Sequence, residues 1–332
     1  MKKRCIVITT INHPTEQIVH YSKLEDWTLI VVGDSKTDDE KYKTVDCVYL
    51  GLNEQKEHFP SFFSKVPIKS YTRKMFGYLY AIKMNFEVIY DTDDDNKYLG
   101  DINTFETIRD TKVCVSKGFT NIYKIFTDER IWPRGIPPTH KCIDEPPFLE
   151  NLETVEDKVA VIQGLVDNDP DVDAYYRITT CNKPFCFEKS VNYDVVLSQR
   201  SICPFNTQNT FWVDSDCFHL LYLPISVNFR YTDILRGVIA LFQLWNNGKT
   251  IKFTRATAIQ VRNEHNLIAD YEDEKQMYET IEEVVAVLEE ARGSSIEEVY
   301  KQLVKINLIK ECELEVLQEW NRLVKSLKKK CV

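Results

Sequence analysis

The sequence has little of what marks several common protein classes. No stretch approaches the roughly 20 apolar residues that span a bilayer, and the apolar run from Cys5 to Thr10 is too short for a secretory signal. Positive charge is in deficit, with 42 Lys and Arg against 51 Asp and Glu, a net charge of -9. A general nucleic-acid binder is excluded because such proteins need clustered cations. We therefore expect a cytoplasmic chain with no membrane span.

Cysteine, glycine and proline are also sparse. The ten cysteines include no C-x-x-C pair, and the closest two are Cys181 and Cys186. This spacing argues against a zinc site and favours reduced thiols over a disulfide framework. With 10 Gly and 12 Pro in 332 residues, 43% of them hydrophobic, we expect a well-packed globular protein with few flexible linkers.

The first hundred residues alternate between strand and helix patterns. Apolar runs predict strands at the positions 4–10, 27–34, 45–50 and 86–91. Helices are predicted between them at 14–24, opened by a proline, and at 70–84, with Ser70 as the N-cap. This alternation is typical of a parallel sheet covered by helices, so the sequence predicts an α/β fold whose residues 1–100 form a nucleotide-binding half.

The rest of the chain is less regular. Residues 101–268 begin with short β-like runs between Pro-rich turns, which we interpret as loops and edge strands that build an acceptor half. An apolar helix is predicted at 233–247 and a strand at 255–261. From 269 to 332 apolar residues recur at helical spacing, which predicts a C-terminal helical region after a catalytic domain spanning 1–268.

An acidic cluster follows the fourth strand directly, as Asp91, Thr92, Asp93, Asp94 and Asp95. Ligands of open α/β sheets bind beyond the carboxyl ends of the strands, and crowded carboxylates repel one another unless a cation neutralises them. The pattern therefore indicates a site in which Asp93 and Asp95 hold Mn²⁺ or Mg²⁺ beside a diphosphate, with Asp91 and Asp94 close to the nucleotide.

Two alternatives remain for this cluster. A calcium loop fits Asp91, Asp93 and Asp95, but Asn96 replaces the turn glycine and Ile102 stands in the place of the bidentate Glu. A solvated acidic turn is the other alternative. The position at a strand end favours the metal site over both.

Other residues near the strand ends are candidates for nucleotide contacts. Thr9 lies near the end of the first strand, and Gly33 and Asp34 end the second. Arg73 and Lys74 open a helix, whose free N–H groups favour anions, so they are candidates for the diphosphate or the sugar. A turn at Asp34 and plain surface charges at Arg73 and Lys74 are the structural alternatives.

Candidates for the chemistry itself lie later in the chain. Asp233 starts the apolar helix and is our candidate for the base that takes the acceptor's proton; helix capping is the alternative. Asp171 and Asp173 could contact the sugar or the acceptor, although an Asx turn is a common use of such residues. His265 could complete the metal site, but a lone His is more often structural.

Taken together, eight stretches in this order resemble the STELLO-type glycosyltransferases over roughly residues 5–280. The stretches are VVGDSKT, PIKSYTRKMFGYLYAI, VIYDTDDDN, WPRGIP, VIQGLVDNDPDVDAYYR, PFNTQNT, TDILRGVIALFQLW and QVRNEHNLIADYEDE. A more distant similarity, in QGL, DPDVDA and RYTDILRG, is to the reversibly glycosylated polypeptides, which are UDP-arabinopyranose mutases. The agreement of eight ordered stretches is far more specific than a lone DxD.

The resemblance implies a GT-A fold, with a Rossmann-like nucleotide-binding half, a DxD metal site and an acceptor half. It implies a nucleotide-sugar donor, with a UDP-sugar favoured by the distant relatives. By motif, it assigns metal or ribose contacts to Asp91, Asp93 and Asp95, the donor to Arg73, and the sugar-facing stretch to Asp171 and Asp173. Asp233 and His265 occupy the corresponding acidic and polar positions around the last strand of the sheet.

Several functions are compatible with this resemblance. The leading expectation is metal-dependent transfer of a sugar to a glycan, protein or small-molecule acceptor. A UDP-sugar mutase or a self-glycosylating protein is an alternative, and a non-catalytic scaffold of the same fold is another. A homodimer is possible in each case.

Overall fold

The computed structural model describes residues 2–107, 109–151, 158–262 and 266–329. Its strands, in chain order, are β1 (Arg4–Thr9), β2 (Trp27–Val32), β3 (Val48–Leu50), β4 (Val88–Thr92), β5 (Asn96–Tyr98), β6 (Asp110–Cys114), β7 (Gly118–Phe119), β8 (Leu149–Asn151), β9 (Val159–Asp167), β10 (Tyr193–Leu197), β11 (Ser201–Ile202), β12 (Asn209–Trp212) and β13 (Thr250–Gln260). Its α-helices are α1 (Glu16–Tyr21), α2 (Asp39–Tyr42), α3 (Leu52–His58), α4 (Pro60–Phe63), α5 (Met75–Lys83), α6 (Tyr123–Phe126), α7 (Ala174–Thr179), α8 (Phe229–Asn246), α9 (Leu267–Glu290), α10 (Ile296–Lys305) and α11 (Cys312–Lys329).

One mixed sheet organises the fold, in the order β3-β2-β1-β4-β12-β9-β13-β10-β6-β8, with β5 paired to β13. The first four strands are parallel, and β12 runs antiparallel to both β4 and β9. Because β13 is parallel to β9, the carboxyl ends of β1, β2, β4, β9 and β13 all lie at the same edge. The two predicted halves therefore share one continuous sheet, and that edge is where a ligand would reach both.

Helices α5 and α8 pack closely on the sheet, α5 against β1 and β2 and α8 against β13. A Cβ at Gly77 of α5 would lie 2.6 Å from Val7 of β1, so only glycine permits this approach. Helix α8 is buried along almost its whole length, which explains the long apolar run in its second half. Asn228 caps α8 through its side-chain oxygen, which accepts from the Arg230 N–H at 3.1 Å, so the helix starts four residues before the predicted position.

The C-terminal helices pack back onto the first half of the chain. The rings of Trp320 in α11 and Phe62 in α4 lie 5.9 Å apart, and the Trp320 indole N–H donates to the His219 carbonyl at 2.8 Å. The buried carboxylate of Glu313 accepts from the Tyr222 hydroxyl at 2.5 Å and from the Ile225 N–H at 2.9 Å. The boundary predicted at residue 268 falls in the first turn of α9, and the division into domains stays a prediction.

The predicted fold class, a mixed α/β sheet flanked by helices with a helical C-terminal region, is confirmed. The prediction of edge strands for the irregular middle of the chain is wrong, because β9 and β12 lie in the centre of the sheet. Across the described parts of the chain, no helix combines the length and the apolar character needed to cross a bilayer.

Candidate functional site

A cavity of about 470 Å³ opens at the shared edge of the sheet. Its walls come from the loops after β1, β2, β4 and β13 and from the starts of α7 and α8. Seven of the residues predicted for the site line it: Thr9, Asp34, Asp93, Asp94, Asp95, Asp171 and Asp233. The structure thus brings together acids that are far apart in the sequence, at the position that the α/β fold predicts for a ligand.

The acidic turn after β4 forms one rim of the cavity. Asp93 Oδ1 accepts from the Tyr71 hydroxyl at 3.0 Å and lies 3.1 Å from Lys74 Nζ. Asp95 lies on the other side of the turn, where both its carboxylate oxygens accept from the Gln260 amide at 3.0 and 3.1 Å. Burial, followed by repulsion from Asp93, raises the pKa of Asp95 to about 7.

Asp94 lies between these two carboxylates and is held by neutral donors. Its Oδ2 accepts from the Thr10 hydroxyl at 2.5 Å and from the Asn12 amide at 2.9 Å. These bonds tie the β4 turn to the loop after β1. Burial raises the pKa of Asp94 as well, because its hydrogen-bond donors are neutral and only partly oppose the effect of burial.

The chemistry of this rim suits a hard divalent cation, since carboxylate oxygens are the ligands that Mn²⁺ and Mg²⁺ prefer. A cation would relieve the repulsion that raises the pKa of Asp95. Among the residues that the structure describes, no three His, Cys, Asp or Glu side chains converge into a ready-made metal site. Asp93 and Asp95 are the two carboxylates of the rim that could hold such an ion. His265 lies outside the described residues.

Asp91 and Lys74 lie beneath the rim and do not line the cavity. Their side chains are fully buried, with Lys74 Nζ 2.7 Å from Asp91 Oδ1. Arg236 of α8 lies 3.5 Å from the other oxygen of Asp91. Burial would lower the pKa of Lys74, but the charges of Asp91 and Asp93 outweigh this effect, and the pKa is raised. The pair supports the rim from inside the core.

Arg73 and Gly33 face away from the cavity and share one partner. The Arg73 guanidinium is fully buried and donates to Gln55 Oε1 at 2.7 Å, while the Gln55 amide donates to the Gly33 carbonyl at 2.7 Å. Burial lowers the pKa of Arg73 to about 10. A Cβ at Gly33 would lie 2.2 Å from the Tyr49 hydroxyl, so this glycine is needed for packing.

Asp173 likewise lies behind the cavity wall. It is the N-cap of α7, where its carboxylate accepts from the Tyr176 N–H at 2.7 Å and from the Trp132 indole at 2.7 Å. Burial raises its pKa to about 7, against the effect of the bond from Tyr176. This geometry gives Asp173 a structural role as an N-cap, since an N-cap carboxylate satisfies free N–H groups of the first turn.

Asp171 and Asp233 also line the cavity and share one arginine. Arg134 donates to Asp171 Oδ1 at 2.7 Å and to Asp233 Oδ2 at 2.7 Å. Burial would raise the pKa of Asp171, but Arg134 and a bond from Asn206 lower it. Burial raises the pKa of Asp233, and Arg134 only partly opposes this. The two carboxylates therefore hold their protons with different strength.

The loop after β2 and the segment before α5 form the end of the cavity nearest to Asp34. Asp34 Oδ2 accepts from the Ser70 N–H at 2.9 Å, and the Thr9 hydroxyl donates to the Val32 carbonyl at 3.1 Å. Lys69, next to Ser70, has a φ of 61°, a strained conformation for a residue with a side chain. Ordered non-glycine residues in this region often mark a ligand site.

Four arginines of the cavity were missed in the sequence: Arg134, Arg177, Arg230 and Arg262. Each stands within or beside a stretch that carries the STELLO resemblance, and each is paired with an acid in the structure. The acids of these stretches were a signal for the arginines, because buried carboxylates require compensating cations. The sequence does not show which arginine meets which acid.

Comparison with known proteins confirms the resemblance drawn from the motifs. The family described as STELLO glycosyltransferases matches residues 230–330, so the likeness extends past residue 280 into the C-terminal helices. Two proteins of Arabidopsis thaliana, Probable glycosyltransferase STELLO2 and Probable glycosyltransferase STELLO1, are 28% identical over 277 residues and 27% identical over 285 residues. The alignments cover 74% and 77% of this chain. The chain is thus similar to the STELLO-type glycosyltransferases over most of its length.

The chain spans about a third of the length of these relatives, 34% and 35%. Among solved structures, glucosyl-3-phosphoglycerate synthase from Mycobacterium tuberculosis, in complex with Mn²⁺ and uridine-diphosphate-glucose, aligns with a TM-score of 0.41 at 9% identity. That alignment covers 89% of this chain and 80% of the other.

Proposed function

We propose that the chain is a metal-dependent glycosyltransferase that moves a sugar from a UDP-sugar to an acceptor hydroxyl. One observation supports the proposal: the carboxylates of Asp93 and Asp95 and the buried carboxylate of Asp233 line a single cavity. An inverting transferase needs both features, a centre for the diphosphate and a base for the acceptor. The relationship to the STELLO glycosyltransferases supports the same reaction.

The nucleotide occupies the end of the cavity formed by the first hundred residues. Asp34 is positioned there by the Ser70 N–H, and its carboxylate can accept from a ribose hydroxyl or a base N–H. Ile11 lines the same end and is 52% exposed, which provides an apolar surface for a base. Lys36 and Lys69 also line the cavity and supply positive charge for a diphosphate.

Asp93 and Asp95 would hold Mn²⁺ or Mg²⁺. A divalent ion bound there supplies Lewis-acid stabilisation for the charge that develops on the departing diphosphate. Lys74 and Tyr71 fix the Asp93 carboxylate from below, and Gln260 fixes that of Asp95. Both acids are thereby held in place before a ligand binds, as catalytic sites require.

Asp233 serves as the base. The pKa of Asp233 is raised, so it lies closer to neutral pH than the pKa of an exposed carboxylate. The pKa of Asp171 is lowered, so Asp171 stays charged. Paired groups whose pKa values are moved apart in this way indicate different roles. Asp171 keeps the Arg134 guanidinium in place, and Arg134 orients the Asp233 carboxylate.

Isothermal titration calorimetry with UDP and a panel of UDP-sugars, with and without Mn²⁺, tests the proposal. We expect UDP to bind with Mn²⁺ and to bind at least about tenfold more weakly without it or in an Asp93→Ala, Asp95→Ala variant. Asp46→Asn is the matched control, since Asp46 is an exposed acid outside the cavity. Hydrolysis of one UDP-sugar without acceptor would identify the donor.

Three results would contradict the proposal. UDP affinity that ignores the metal, or that survives in the double variant, would remove Asp93 and Asp95 from the site. Absence of any UDP binding would favour the scaffold alternative. Conversion of a UDP-pentose between its ring forms, with no transfer to an acceptor, would assign the mutase reaction instead.

A further inference from the structure

Besides Arg134, three further arginines line the cavity. Arg177 projects from α7, Arg230 from the first turn of α8, and Arg262 from the segment after β13. Their side chains are largely buried, with exposed fractions of 7%, 10% and 11%. We call these residues the arginine wall. Three elements distant in sequence converge on it, so it is a built feature of the fold.

The acidic partners of Arg230 and Arg262 lie behind the wall. Arg230 donates to Glu274 at 2.6 Å, and Arg262 donates to Asp270 at 2.9 Å. Glu274 is completely buried and Asp270 is 5% exposed. Neither acid lines the cavity. The two acids therefore hold the guanidinium groups from outside the cavity, and the arginines line it.

Arg177 is arranged in the same way. It is paired with Asp169 and donates to the Pro170 carbonyl at 3.0 Å, and neither of these residues lines the cavity. Its Nε is buried with no hydrogen-bond partner in the part of the chain that the structure describes. A buried donor without a partner costs free energy.

The three guanidinium groups are close enough to repel one another. Burial, and then the charges of Arg177 and Arg230, lower the pKa of Arg262 to about 10. Such crowding is unfavourable in the free protein, even with acids behind the wall. An oxyanion on the cavity side would offset it, and the planar fork of arginine suits carboxylate and phosphate groups.

We propose that the arginine wall binds an anionic group, a phosphate or a carboxylate, of the sugar acceptor. This inference rests on the proposed function, because it assigns the acceptor to this side of the cavity. Arg230 lies beside Phe229, which lines the same cavity and is 54% exposed. An aromatic face next to a cationic wall suits an acceptor that has both a ring and an acidic group.

Inorganic phosphate is the probe. It is titrated into protein saturated with UDP and Mg²⁺, and separately into protein without UDP, with calorimetric detection. We expect phosphate to bind the UDP-saturated protein and to bind at least about tenfold more weakly in Arg177→Gln and Arg262→Gln variants. The affinity for UDP should change less than about twofold. Arg262→Lys, which retains the charge without the fork, should weaken phosphate binding less than Arg262→Gln.

Arg255→Gln is the matched control, because Arg255 is an exposed residue of β13 that does not line the cavity. It should leave phosphate binding unchanged, and thermal unfolding confirms that each variant is folded. Loss of UDP affinity in the wall variants would overturn the inference, since the wall would then hold the donor's diphosphate. Absence of phosphate binding to the wild type would also overturn it.

The failure of the proposed function has a different signature. If UDP does not bind but phosphate binds in a manner that depends on Arg177 and Arg262, the anion site stands without the transferase. If UDP binds with metal and phosphate does not, the transferase stands and the acceptor site is refuted.

Discussion

Lys74 Nζ lies 2.7 Å from Asp91 Oδ1, and both side chains are completely buried. The same ammonium group reaches Asp93 on the cavity rim at 3.1 Å and donates to the Thr92 carbonyl at 2.7 Å. One cation therefore connects the core of the sheet to the proposed metal site. Because burial raises the pKa of Asp91, the ionised form of this acid depends on Lys74.

Lys74→Met should strongly destabilise the protein. It leaves the Asp91 carboxylate buried without its nearest cation, which costs about 3–5 kcal/mol. Urea unfolding measures the change. Lys83→Met, at an exposed position of α5, should alter the free energy of unfolding by less than about 0.5 kcal/mol. Equal stability of the two variants would show that the buried pair does not have this role.

Asp95→Asn should stabilise the metal-free protein, and more so at high pH. The pKa of Asp95 is raised from 3.8 to about 7, so between these values the folded state binds a proton more tightly than the unfolded state. Its contribution to the free energy of unfolding therefore falls as pH rises through that window. We expect the gain from Asn to be up to about 2 kcal/mol larger at pH 8 than at pH 5.5.

Urea unfolding with a chelator at both pH values measures this difference, with Asp46→Asn as control. A pH-independent effect of Asp95→Asn would mean that Asp95 ionises normally. The same raised pKa predicts that metal binding releases protons below pH 7, because a carboxylate must be ionised to bind the ion. Calorimetry in buffers of different ionisation enthalpy counts those protons.

Asp233→Asn should slow transfer with little effect on donor binding. The variant retains the shape of the side chain but cannot take a proton, and loss of a general base typically costs about 10²- to 10⁴-fold in rate. Turnover is measured with the donor identified by hydrolysis, and UDP affinity by calorimetry. Unchanged turnover would show that another group acts as the base. A parallel loss of UDP affinity would indicate that Asp233 has a structural role.

Gly237→Ala should destabilise the protein although alanine favours helices. A Cβ at Gly237 would lie 2.0 Å from the Phe205 carbonyl oxygen, a backbone atom that cannot turn aside. Helix propensity alone would gain about 1 kcal/mol, whereas overpacking costs about 1–3 kcal/mol or more. Thermal unfolding should show a lower midpoint, and a higher midpoint would mean that α8 can shift away from Phe205.

The parallel half of the fold was predictable because its buried strands appear as short apolar runs that end in polar residues. The acids after β4 were predictable for the same reason. The sequence indicated a β-like run at β9, but the central position of β9 and β12 was not predictable, because both strands contain polar residues that satisfy one another. The Thr210 hydroxyl donates to Gln163 Oε1 at 2.8 Å, and the Gln163 amide donates to Asn206 at 3.1 Å. In sequence such strands resemble exposed ones.

The cationic part of the cavity could not be derived from spacing. Arg134 and Asp233 are 99 positions apart yet form a hydrogen bond of 2.7 Å, and only the three-dimensional structure pairs them. The roles assigned to Arg73 and Asp173 came from local patterns, a helix start and an acidic run. The structure accounts for both by burial and capping, without contact with the cavity.

The packing of α11 against α4 has a consequence for how the chain matures. Ser61 and Glu319 are hydrogen-bonded although 258 positions separate them, and Trp320 covers Phe62. On the ribosome, the segment around Phe62 emerges first. At typical elongation rates, α11 is synthesised on the order of tens of seconds later. Until then the segment around Phe62 is an exposed apolar surface, and chaperones are expected to hold the nascent chain during that interval.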